Sequence, residues 1–280
     1  EAELLYLCDE GIMAQAYSKR SRCPLWVAYE LDPEEQRRCQ GGRKSFVTDQ
    51  RIPAEDRASV DAEVWGPQAN GDSWDRGHLA PSYSFSHDVA PDGAWEATYR
   101  MSNIAPQASK FNQYSWRLLE EHVSDFVVAR NLTVLVVTGL GFEAAEDSAR
   151  QVVDGVHIAP KWFKALCVPE LSASLVMVAD NINESTPPGM SVGQLTTAVT
   201  LADFEALEWA GRQFSGKVFV DARCYGGLLD LGDGSEMDQA SDSLRVVPRG
   251  DDEEPCEPTE GEVLIISEYV EGSSYNKAVE

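Results

Sequence analysis

The sequence is short of positive charge and of long apolar runs. Its 280 residues contain 23 Lys and Arg against 47 Asp and Glu, which gives a formal net charge of −24. Such a protein repels polyanions as a whole, so any binding of nucleic acid must depend on a local cationic surface. No apolar run approaches the roughly 18 to 20 residues that a membrane-spanning helix needs. We therefore expect a soluble protein with no membrane partner.

The six cysteines lack the spacing of a metal site. They stand at positions 8, 23, 39, 167, 224 and 256, with no CxxC pair, and this excludes the common zinc-binding patterns. An even number of distant cysteines suits disulfide bonds, and Asn131-Leu132-Thr133 and Asn183-Glu184-Ser185 are glycosylation sequons. We predict a secreted, extracellular or lumenal glycoprotein with disulfides. The alternative is a cytosolic or organellar protein with six reduced, partly buried thiols.

Acidity is concentrated towards the C-terminal end. Residues 225–280 carry 15 acids and 3 bases, so 15 minus 3 gives −12, half of the net charge. Up to residue 262 this segment is rich in Gly, Asp, Ser, Glu and Pro, a composition typical of loops or disorder. We predict one folded domain over residues 1–224 and an acidic, partly irregular extension over 225–280 that packs on it. The chain begins at Glu1 with no basic and apolar leader, and we expect a processed or trimmed form.

Hydrophobic periodicity predicts a chain of mixed strands and helices. Residues 131–141 form a nearly continuous β-branched run, as expected of a central strand buried on both faces. Apolar residues recur at helical spacing from Phe111 or Asn112 to about Ala129, which predicts a helix. We also predict helices over residues 55–64 and 200–213, with Thr200 as a cap. Further strands are predicted within residues 1–31, 95–102, 153–169, 171–180, 217–222 and 263–270.

The candidate chemistry begins at Asp75-Arg76-Gly77-His78. A histidine can remove a proton from water near neutral pH, and an arginine beside it can hold a phosphate oxygen. A lone histidine is more often structural, so the second stretch carries the case. Asn103 to Gln107 follows, and then Asn112 and Glu120 stand on the predicted helix. A strand or loop with the histidine, a second strand and a helix with these two side chains form a compact ββα unit.

This pattern resembles a known enzyme family. D-R-G-H followed by N-x-x-P-Q-x(4)-N-x(3)-W-x(2)-L-E is similar to the DNA/RNA non-specific endonucleases of the ββα-metal class, the group that includes mitochondrial endonuclease G. The resemblance covers roughly residues 25 to 224. It implies an α+β fold with a ββα-metal core inside a mixed, mainly antiparallel sheet flanked by helices. It also makes a homodimer plausible and adds the mitochondrial intermembrane space as an alternative location.

The resemblance implies Mg²⁺-dependent hydrolysis of DNA and RNA to 5′-phosphate ends, with Mn²⁺ or another divalent cation as alternatives. It makes His78 the general base, Asn112 the direct metal ligand and Glu120 a ligand through water. Asn103 orients water or phosphate, and two arginines hold phosphate oxygens: Arg76 and Arg43. Further candidates for contacts with nucleic acid are Lys44, Arg100, Gln107, Lys110 and Arg117.

Each of these residues also has a structural interpretation. Asn112 stands where a helix cap is common, and Asn103 suits a turn. Glu120 could be an exposed helix carboxylate, and Gln107 could support its loop. Every cation could simply pair with the abundant acids on the surface.

Two other functions remain open at this stage. The acidity favours a catalytically silent, secreted binding protein on the same scaffold, although every expected catalytic position is filled. Alternatively, the acidic run at residues 251–254 occupies the cationic groove and restrains a working nuclease.

Overall fold

The computed structural model describes residues 4–9, 12–36, 44–85, 94–142, 151–182, 197–214, 217–219 and 221–231. Several predicted features lie outside these residues: Arg43, the sequon at Asn183, the acidic run at 251–254 and the strand at 263–270. Within the described ranges, none of the helices is both long and apolar enough to cross a membrane.

Thirteen strands form three sheets in the described part of the chain. In chain order they are β1 (Leu4–Asp9), β2 (Met13–Ser18), β3 (Cys23–Leu31), β4 (Gly66–Pro67), β5 (Ser73–His78), β6 (Ile104–Ala108), β7 (Val134–Gly141), β8 (Gln151–Val153), β9 (Val156–Ile158), β10 (Lys161–Val168), β11 (Ala173–Asp180), β12 (Thr197–Val199) and β13 (Gly227–Leu228). The largest sheet has eight strands in the order β1-β2-β3-β7-β10-β11-β12, and β13 also pairs with β11. Its pairings are antiparallel except for β11 with β13. The predicted mixed, mainly antiparallel sheet is therefore confirmed.

Five short or medium helices flank this sheet within the described residues: α1 (Pro33–Gln36), α2 (Ala94–Thr98), α3 (Arg117–Arg130), α4 (Leu201–Glu205) and α5 (Glu208–Gln213). A π-helical turn, Phe111–Trp116, leads directly into α3. The helix predicted from residue 111 or 112 is therefore present, but its first turn is wider than an α-helix. The helix predicted over 200–213 is divided into α4 and α5. Thr200 caps α4 as predicted, because its side chain accepts a hydrogen bond from the Asp203 amide at 3.1 Å.

The central strands of the large sheet are buried on both faces. All eight residues of β7 are buried, as the β-branched run predicts. Side chains of β10 alternate between two hydrophobic cores, one on each face of the sheet. Trp162 and Leu166 pack on the α3 side, whereas Phe163 and Ala165 pack on the side of α4 and α5. Residues on the first of these faces lie behind the ββα unit.

Three predictions of local structure are wrong. Residues 55–64 form successive turns rather than a helix, with hydrogen bonds such as Asp56 N–H to Pro53 O at 3.0 Å. Residues 95–102 form α2 and a 3-10 turn, Met101–Asn103, instead of a strand. The alternation there arises because most of this short helix is buried, with Trp95, Ala97 and Thr98 inside and Glu96 outside. The described part of residues 217–222 contains no strand.

The ββα unit itself is present. Strand β5, which carries the Asp75–His78 motif, pairs antiparallel with β6 from Trp74 opposite Ala108 to His78 opposite Ile104. Strand β6 runs into the π-helical turn and then α3. The second strand is thus Ile104–Ala108, and Pro106 lies within it rather than in a loop.

Gly77 lies where the paired strands β5 and β6 pack against the large sheet. An added Cβ would lie 2.4 Å from Gln107 Oε1, 2.5 Å from Gln107 Cβ and 3.0 Å from Trp162 Cη2. We predict that Gly77→Ala lowers the free energy of unfolding by about 1–3 kcal/mol, the usual cost of overpacking. Urea denaturation measures this change. Gly227→Ala is the matched control, since its Cβ meets its nearest atom only at 3.9 Å, and equal effects for the two variants would contradict the prediction.

A disulfide bond joins Cys167 on β10 to Cys224, which lies in the 3-10 turn Ala222–Tyr225. Both cysteines are fully buried in the core on the side of α4 and α5. The bond closes a loop with a sequence separation of 57 residues. It attaches the end of the predicted domain to its central sheet.

Loss of this bond should destabilise the protein. The disulfide lowers the entropy of the unfolded chain, because it closes a long loop. In the chain-entropy model, the free energy of unfolding of the Cys167→Ala/Cys224→Ala variant should therefore be about 4 kcal/mol lower than that of the wild type. Chemical denaturation under non-reducing conditions measures the difference. An unchanged free energy of unfolding would show that the bond does not stabilise the fold.

Candidate active site

A cavity of about 410 Å³ opens where the paired strands β5 and β6 meet the π-helical turn and α3. It is lined by His78, Pro81, Ser82, Tyr83, Asn112, Gln113, Tyr114, Arg117 and Glu120. The structure therefore brings the predicted base, the predicted metal ligand and the predicted carboxylate to one cavity. A phosphate with its flanking sugars needs a space of this kind.

Aromatic rings hold the imidazole of His78 at the end of β5. The ring centroid of Tyr99 lies 5.1 Å away in an edge-on arrangement, and that of Phe46 lies 5.3 Å away. The Tyr99 hydroxyl in turn donates to Ser82 Oγ at 3.3 Å, and Ser82 lines the cavity. These contacts limit rotation of the imidazole, because the ring is packed on more than one side.

Asn103 controls the turn that follows His78. Its side chain is fully buried and donates to the carbonyls of Ala80 at 2.9 Å and Thr98 at 2.8 Å. Its Oδ1 accepts from the Ala80 amide at 3.0 Å, and its main-chain carbonyl accepts from Leu79 N–H. Both amide hydrogens of the side chain are thus used by the backbone. The contacts match the turn interpretation of Asn103.

Asp75 orients Asn112 at the first turn of the helix. Asn112 Nδ2 donates to Asp75 Oδ2 at 2.9 Å, and Gln113 Nε2 donates to the same oxygen at 2.8 Å. Ser109 Oγ–H donates to the other oxygen at 2.6 Å. An ionised carboxylate can only accept hydrogen bonds, so the amide nitrogen of Asn112 must face Asp75. The carbonyl oxygen Oδ1 of Asn112 then points away from Asp75 and is available as a ligand.

Substitution of Asp75 should therefore disturb Asn112 without removing it. Because the resemblance makes Asn112 the metal ligand, we predict that Asp75→Asn lowers nuclease activity about 10–100-fold, as is common when the partner of a ligand is changed. Steady-state assays over a Mg²⁺ series measure the effect. Asp72→Asn is a matched control. Asp72 lies one residue before β5 and accepts a hydrogen bond from Asn70 Nδ2 at 2.7 Å. Equal activities for the Asp75 and Asp72 variants would contradict the role of Asp75.

Glu120 forms the inner wall of the cavity. Its side chain is 10% exposed, and Oε2 accepts a hydrogen bond from the Tyr83 hydroxyl at 2.9 Å. Its other oxygen lies 3.4 Å from Lys164 Nζ. Burial raises the pKa of the Glu120 carboxyl above its ordinary value, and Lys164 and Tyr83 oppose that rise. The exposed-carboxylate interpretation is therefore wrong for Glu120.

Three comparisons with known proteins bear on this site. The family model described as DNA/RNA non-specific endonuclease matches residues 12–218, well over half of the chain. The chain belongs to this endonuclease family.

The endonuclease family also includes the curated relatives of the chain. Human mitochondrial endonuclease G is 33% identical over 185 residues, covering 61% of this chain and 57% of the relative. The nuclease of Serratia marcescens is 28% identical over 192 residues, covering 66% of this chain and 68% of the relative. The chain thus spans little more than half the length of the mammalian relative. A crystal structure of the EndoG/EndoGI complex matches with a TM-score of 0.58 at 21% identity, covering 74% of this chain and 83% of that one. This likeness confirms the fold.

The donors in the cavity suit a hard divalent cation. Asn112 offers an amide oxygen and Glu120 a carboxylate at the cavity wall, and Mg²⁺ binds through few protein oxygens and keeps several waters. Among the described residues, no cluster of three or more His, Cys, Asp or Glu side chains could hold a metal. A tetrahedral nitrogen and sulfur site of the zinc type is therefore not built from these residues. The residues present fit a metal ion of the kind that the endonuclease resemblance implies.

The cationic side chains predicted to bind nucleic acid differ in their distance from the cavity and in their partners. Arg117 lines it and lies 3.4 Å from Glu121, one helical turn further on. Lys110 is exposed just before the π-helical turn. Arg76 packs its guanidinium 5.5 Å from the rings of Phe46 and Trp65 and donates to a main-chain carbonyl at 2.6 Å, that of Val60. It lies two residues before His78, so both side chains are on the same face of β5.

Lys44 is exposed, at the outer side of α2. Its ammonium lies 4.8 Å from the Trp95 ring centroid and 3.4 Å from Glu96 Oε1. This placement matches the alternative of a surface pair.

Two predicted contacts with nucleic acid need correction. The side chain of Gln107 is fully buried beneath Gly77, so it cannot reach a substrate in this structure. Arg100 turns to Asp9 and forms an ion pair with it, in a network that also contains Arg51 and Asp49. Both polar side chains support the fold around the site.

Several residues of the site, with the exception of Asp75, carry no signal in the sequence pattern. Tyr83 and Lys164 hold the Glu120 carboxylate, and Asp75 holds Asn112. Tyr114 lines the cavity and is 56% exposed. The position of Asp75 beside Arg76 within the endonuclease motif was the one available signal. The others become visible only when distant segments are brought together.

Proposed function

We propose that this member of the family is an Mg²⁺-dependent endonuclease that hydrolyses phosphodiester bonds of DNA and RNA. The observation that carries the proposal is the convergence of His78, Asn112 and Glu120 on one cavity. A histidine, an amide oxygen and a carboxylate on one cavity supply a base, a ligand for a hard cation and a hydrogen-bond acceptor for water. The nuclease domain spans residues 1–224 in this proposal.

The imidazole of His78 acts as the general base. It removes a proton from a water molecule as the water oxygen attacks phosphorus. The bond from phosphorus to the 3′-oxygen breaks, which leaves a 5′-phosphate on one product and a 3′-hydroxyl on the other after protonation. Because the packed rings of Tyr99 and Phe46 restrain the imidazole, little orientation entropy is lost when the base acts.

Asn112 would hold the divalent cation directly, and Glu120 would contact it through water. When bound, Mg²⁺ supplies Lewis-acid stabilisation of negative charge on the phosphate oxygens and the departing oxygen. Asn103 acts on His78 through the turn at Leu79 and Ala80, so we assign it a positioning role. The choice of Mg²⁺ over Mn²⁺ is part of the proposal.

The substrate is held by cations within an acidic protein. Arg117 at the cavity and Arg76 on the His78 face of β5 bind phosphate oxygens, and Lys110 extends this surface. Arg43 remains a proposed phosphate contact outside the described residues. Tyr114 offers an exposed ring at the cavity for stacking with a base, which works for any nucleotide and suits a non-specific enzyme. Because the slope of affinity against salt scales with the number of phosphates that the protein neutralises, binding through so few cations should be weak and should depend only modestly on salt.

The proposal includes an oxidising compartment. The Cys167–Cys224 bond supports a secreted or lumenal location, with the mitochondrial intermembrane space as the alternative. Asn131 ends α3 in an exposed, left-handed conformation with φ of 52°, where a glycan could be attached. A homodimer is proposed from the family resemblance and is tested by sedimentation equilibrium.

Digestion assays test the function. Supercoiled plasmid and total RNA are incubated with the purified chain in a buffer that contains Mg²⁺ and in a second buffer that contains EDTA. We expect both polymers to be cut with Mg²⁺ and to stay intact in EDTA, and end-labelling should detect 5′-phosphates. Intact polymers with folded protein and Mg²⁺ would favour the catalytically silent binding protein.

A further inference from the structure

Lys164 is a buried cation that the proposed mechanism does not use. It lies on β10, and its side chain is 2% exposed. The ammonium donates to the Tyr29 hydroxyl at 2.9 Å and to Thr138 Oγ1 at 2.8 Å, and it lies 3.4 Å from Glu120 Oε1. Two of the three hydrogens of the ammonium are thus donated to hydroxyl oxygens, and Glu120 Oε1 lies at ion-pair distance without a hydrogen bond. The group is therefore held in one orientation.

Two partners of Lys164 lie on central strands of the large sheet. Thr138 lies directly opposite Lys164 in the pairing of β7 with β10, and Tyr29 lies on β3, next to β7. These are three consecutive central strands of the large sheet. The ring of Trp116, four residues before Glu120, lies 5.3 Å from the ammonium. The cation thus projects from the sheet towards α3 at a single defined place.

Glu120 lies between this cation and the catalytic cavity. Its carboxylate lines the cavity of His78 and Asn112, and it also lines a small interior space with Tyr29, Tyr83 and Lys164. One oxygen is held by Tyr83 and the other by Lys164. The side-chain nitrogen of Lys164 therefore faces the Glu120 carboxylate inside the protein.

We propose that Lys164 is a positioning residue that anchors the Glu120 carboxylate to the central strands of the sheet and sets its orientation at the cavity. Geometry supports this role, because Lys164 touches Glu120 but does not line the cavity itself. The inference rests on the proposed nuclease function, since Glu120 serves there as the water-mediated ligand. A purely structural charge pair is the alternative, in which loss of Lys164 would damage the fold but not act through Glu120.

A double-mutant cycle separates these two roles. Lys164→Met removes the ammonium and keeps a side chain of similar length, and Glu120→Gln removes the charge of the partner. We expect Lys164→Met to lower kcat about 10–100-fold, as for other partners of ligands, with KM for DNA changed less than about twofold. In the Glu120→Gln background, the same substitution should lower kcat no further, because it acts through a group already removed.

The control is another lysine of the same strand. Lys161 pairs with Asp180 at 2.6 Å at the sheet surface, and Lys161→Met should leave kcat unchanged. If Lys164→Met kept full kcat, or lowered it equally in the wild-type and Glu120→Gln backgrounds, the positioning role would be overturned. Should Lys164→Met fail to fold, Thr138→Val takes its place in the cycle, since it removes one acceptor of the ammonium without touching Glu120. The same two outcomes decide in that case.

A spectroscopic measurement tests the pair without turnover. In protein labelled with ¹⁵N-lysine, the buried Lys164 ammonium should give an NH₃⁺ signal that is protected from exchange with water. The signal is assigned by its absence from Lys164→Met. If that variant does not fold, it is assigned by its shift in Thr138→Val. The signal should shift in Glu120→Gln and stay in place in Glu121→Gln. No shift in Glu120→Gln would overturn the anchoring contact. If the signal shifted in Glu120→Gln but the wild-type protein cut no nucleic acid, the contact would stand and the proposed function would be removed.

Discussion

Replacement of His78 by alanine should reduce hydrolysis of DNA and RNA about 10²–10⁴-fold, the contribution expected of a general base. The variant should still bind nucleic acid, because the base acts in the chemical step and the cations of the substrate surface remain. We expect kcat to fall and KM to change little. Plasmid nicking measures the rate, and fluorescence anisotropy with a labelled oligonucleotide in EDTA measures binding.

His122→Ala is the matched control for this substitution. His122 lies on α3 and does not line the cavity, so its loss should leave kcat within about twofold of the wild type, as for surface substitutions elsewhere. Folding of both variants is compared by circular dichroism. Full activity of folded His78→Ala would show that another group activates the water.

Replacement of Asn112 by alanine should have the second largest effect. The direct oxygen ligand is lost, and the partner Asp75 is left with Gln113 and Ser109 alone. We expect Mg²⁺-supported kcat to fall at least about 100-fold, the upper end of effects seen when a ligand is perturbed. Because geometry is lost with the ligand, excess Mg²⁺ should restore little activity.

Calorimetric titration with Mg²⁺ separates metal binding from catalysis in this variant. The heat of binding seen in the wild type should be lost in Asn112→Ala and kept in Asn131→Ala. Asn131 is a suitable control, since it is an exposed asparagine at the other end of the same helical segment. Equal Mg²⁺ affinities for wild type and Asn112→Ala would rule out Asn112 as the ligand.

The sequence pattern predicts the three groups on which the proposed chemistry depends. His78, Asn112 and Glu120 are recognisable because the motif preserves residue type and spacing along two short segments. The strand Val134–Gly141 is also predictable, because a run of apolar β-branched residues suits burial on both faces. These features are local in the chain. They need no knowledge of which segments meet.

The partners of these groups are not predictable in the same way. Lys164 is 44 positions from Glu120, and Tyr83 is 37 positions from it on the other side. Only the register of β10 against β7 and the packing of α3 on the sheet bring them together. The type of a polar residue also does not predict whether its side chain is exposed or is buried and paired. Gln107 and Arg100 were predicted as contacts with nucleic acid, but the first lies under Gly77 and the second pairs with Asp9.

The errors in local structure have a related origin. Short helices leave a burial pattern that a strand can also produce, and α2 has only five residues. Its exposed Glu96 between buried Trp95 and Ala97 therefore has the alternation expected of a strand. The π-helical turn at Phe111–Trp116 begins where Asn112 is held by Asp75. Such turns are frequent at functional sites, but the apolar spacing does not reveal them.

A crystal soaked in Mn²⁺ tests the site assignment most directly, since anomalous scattering locates this ion without assumptions about ligands. The account predicts an anomalous peak in the cavity, bonded to Asn112 Oδ1 and separated from the Glu120 carboxylate by a water molecule. The same peak should be absent from crystals of Asn112→Ala. A peak bonded to other residues, with the cavity of His78 and Asn112 empty, would contradict the account.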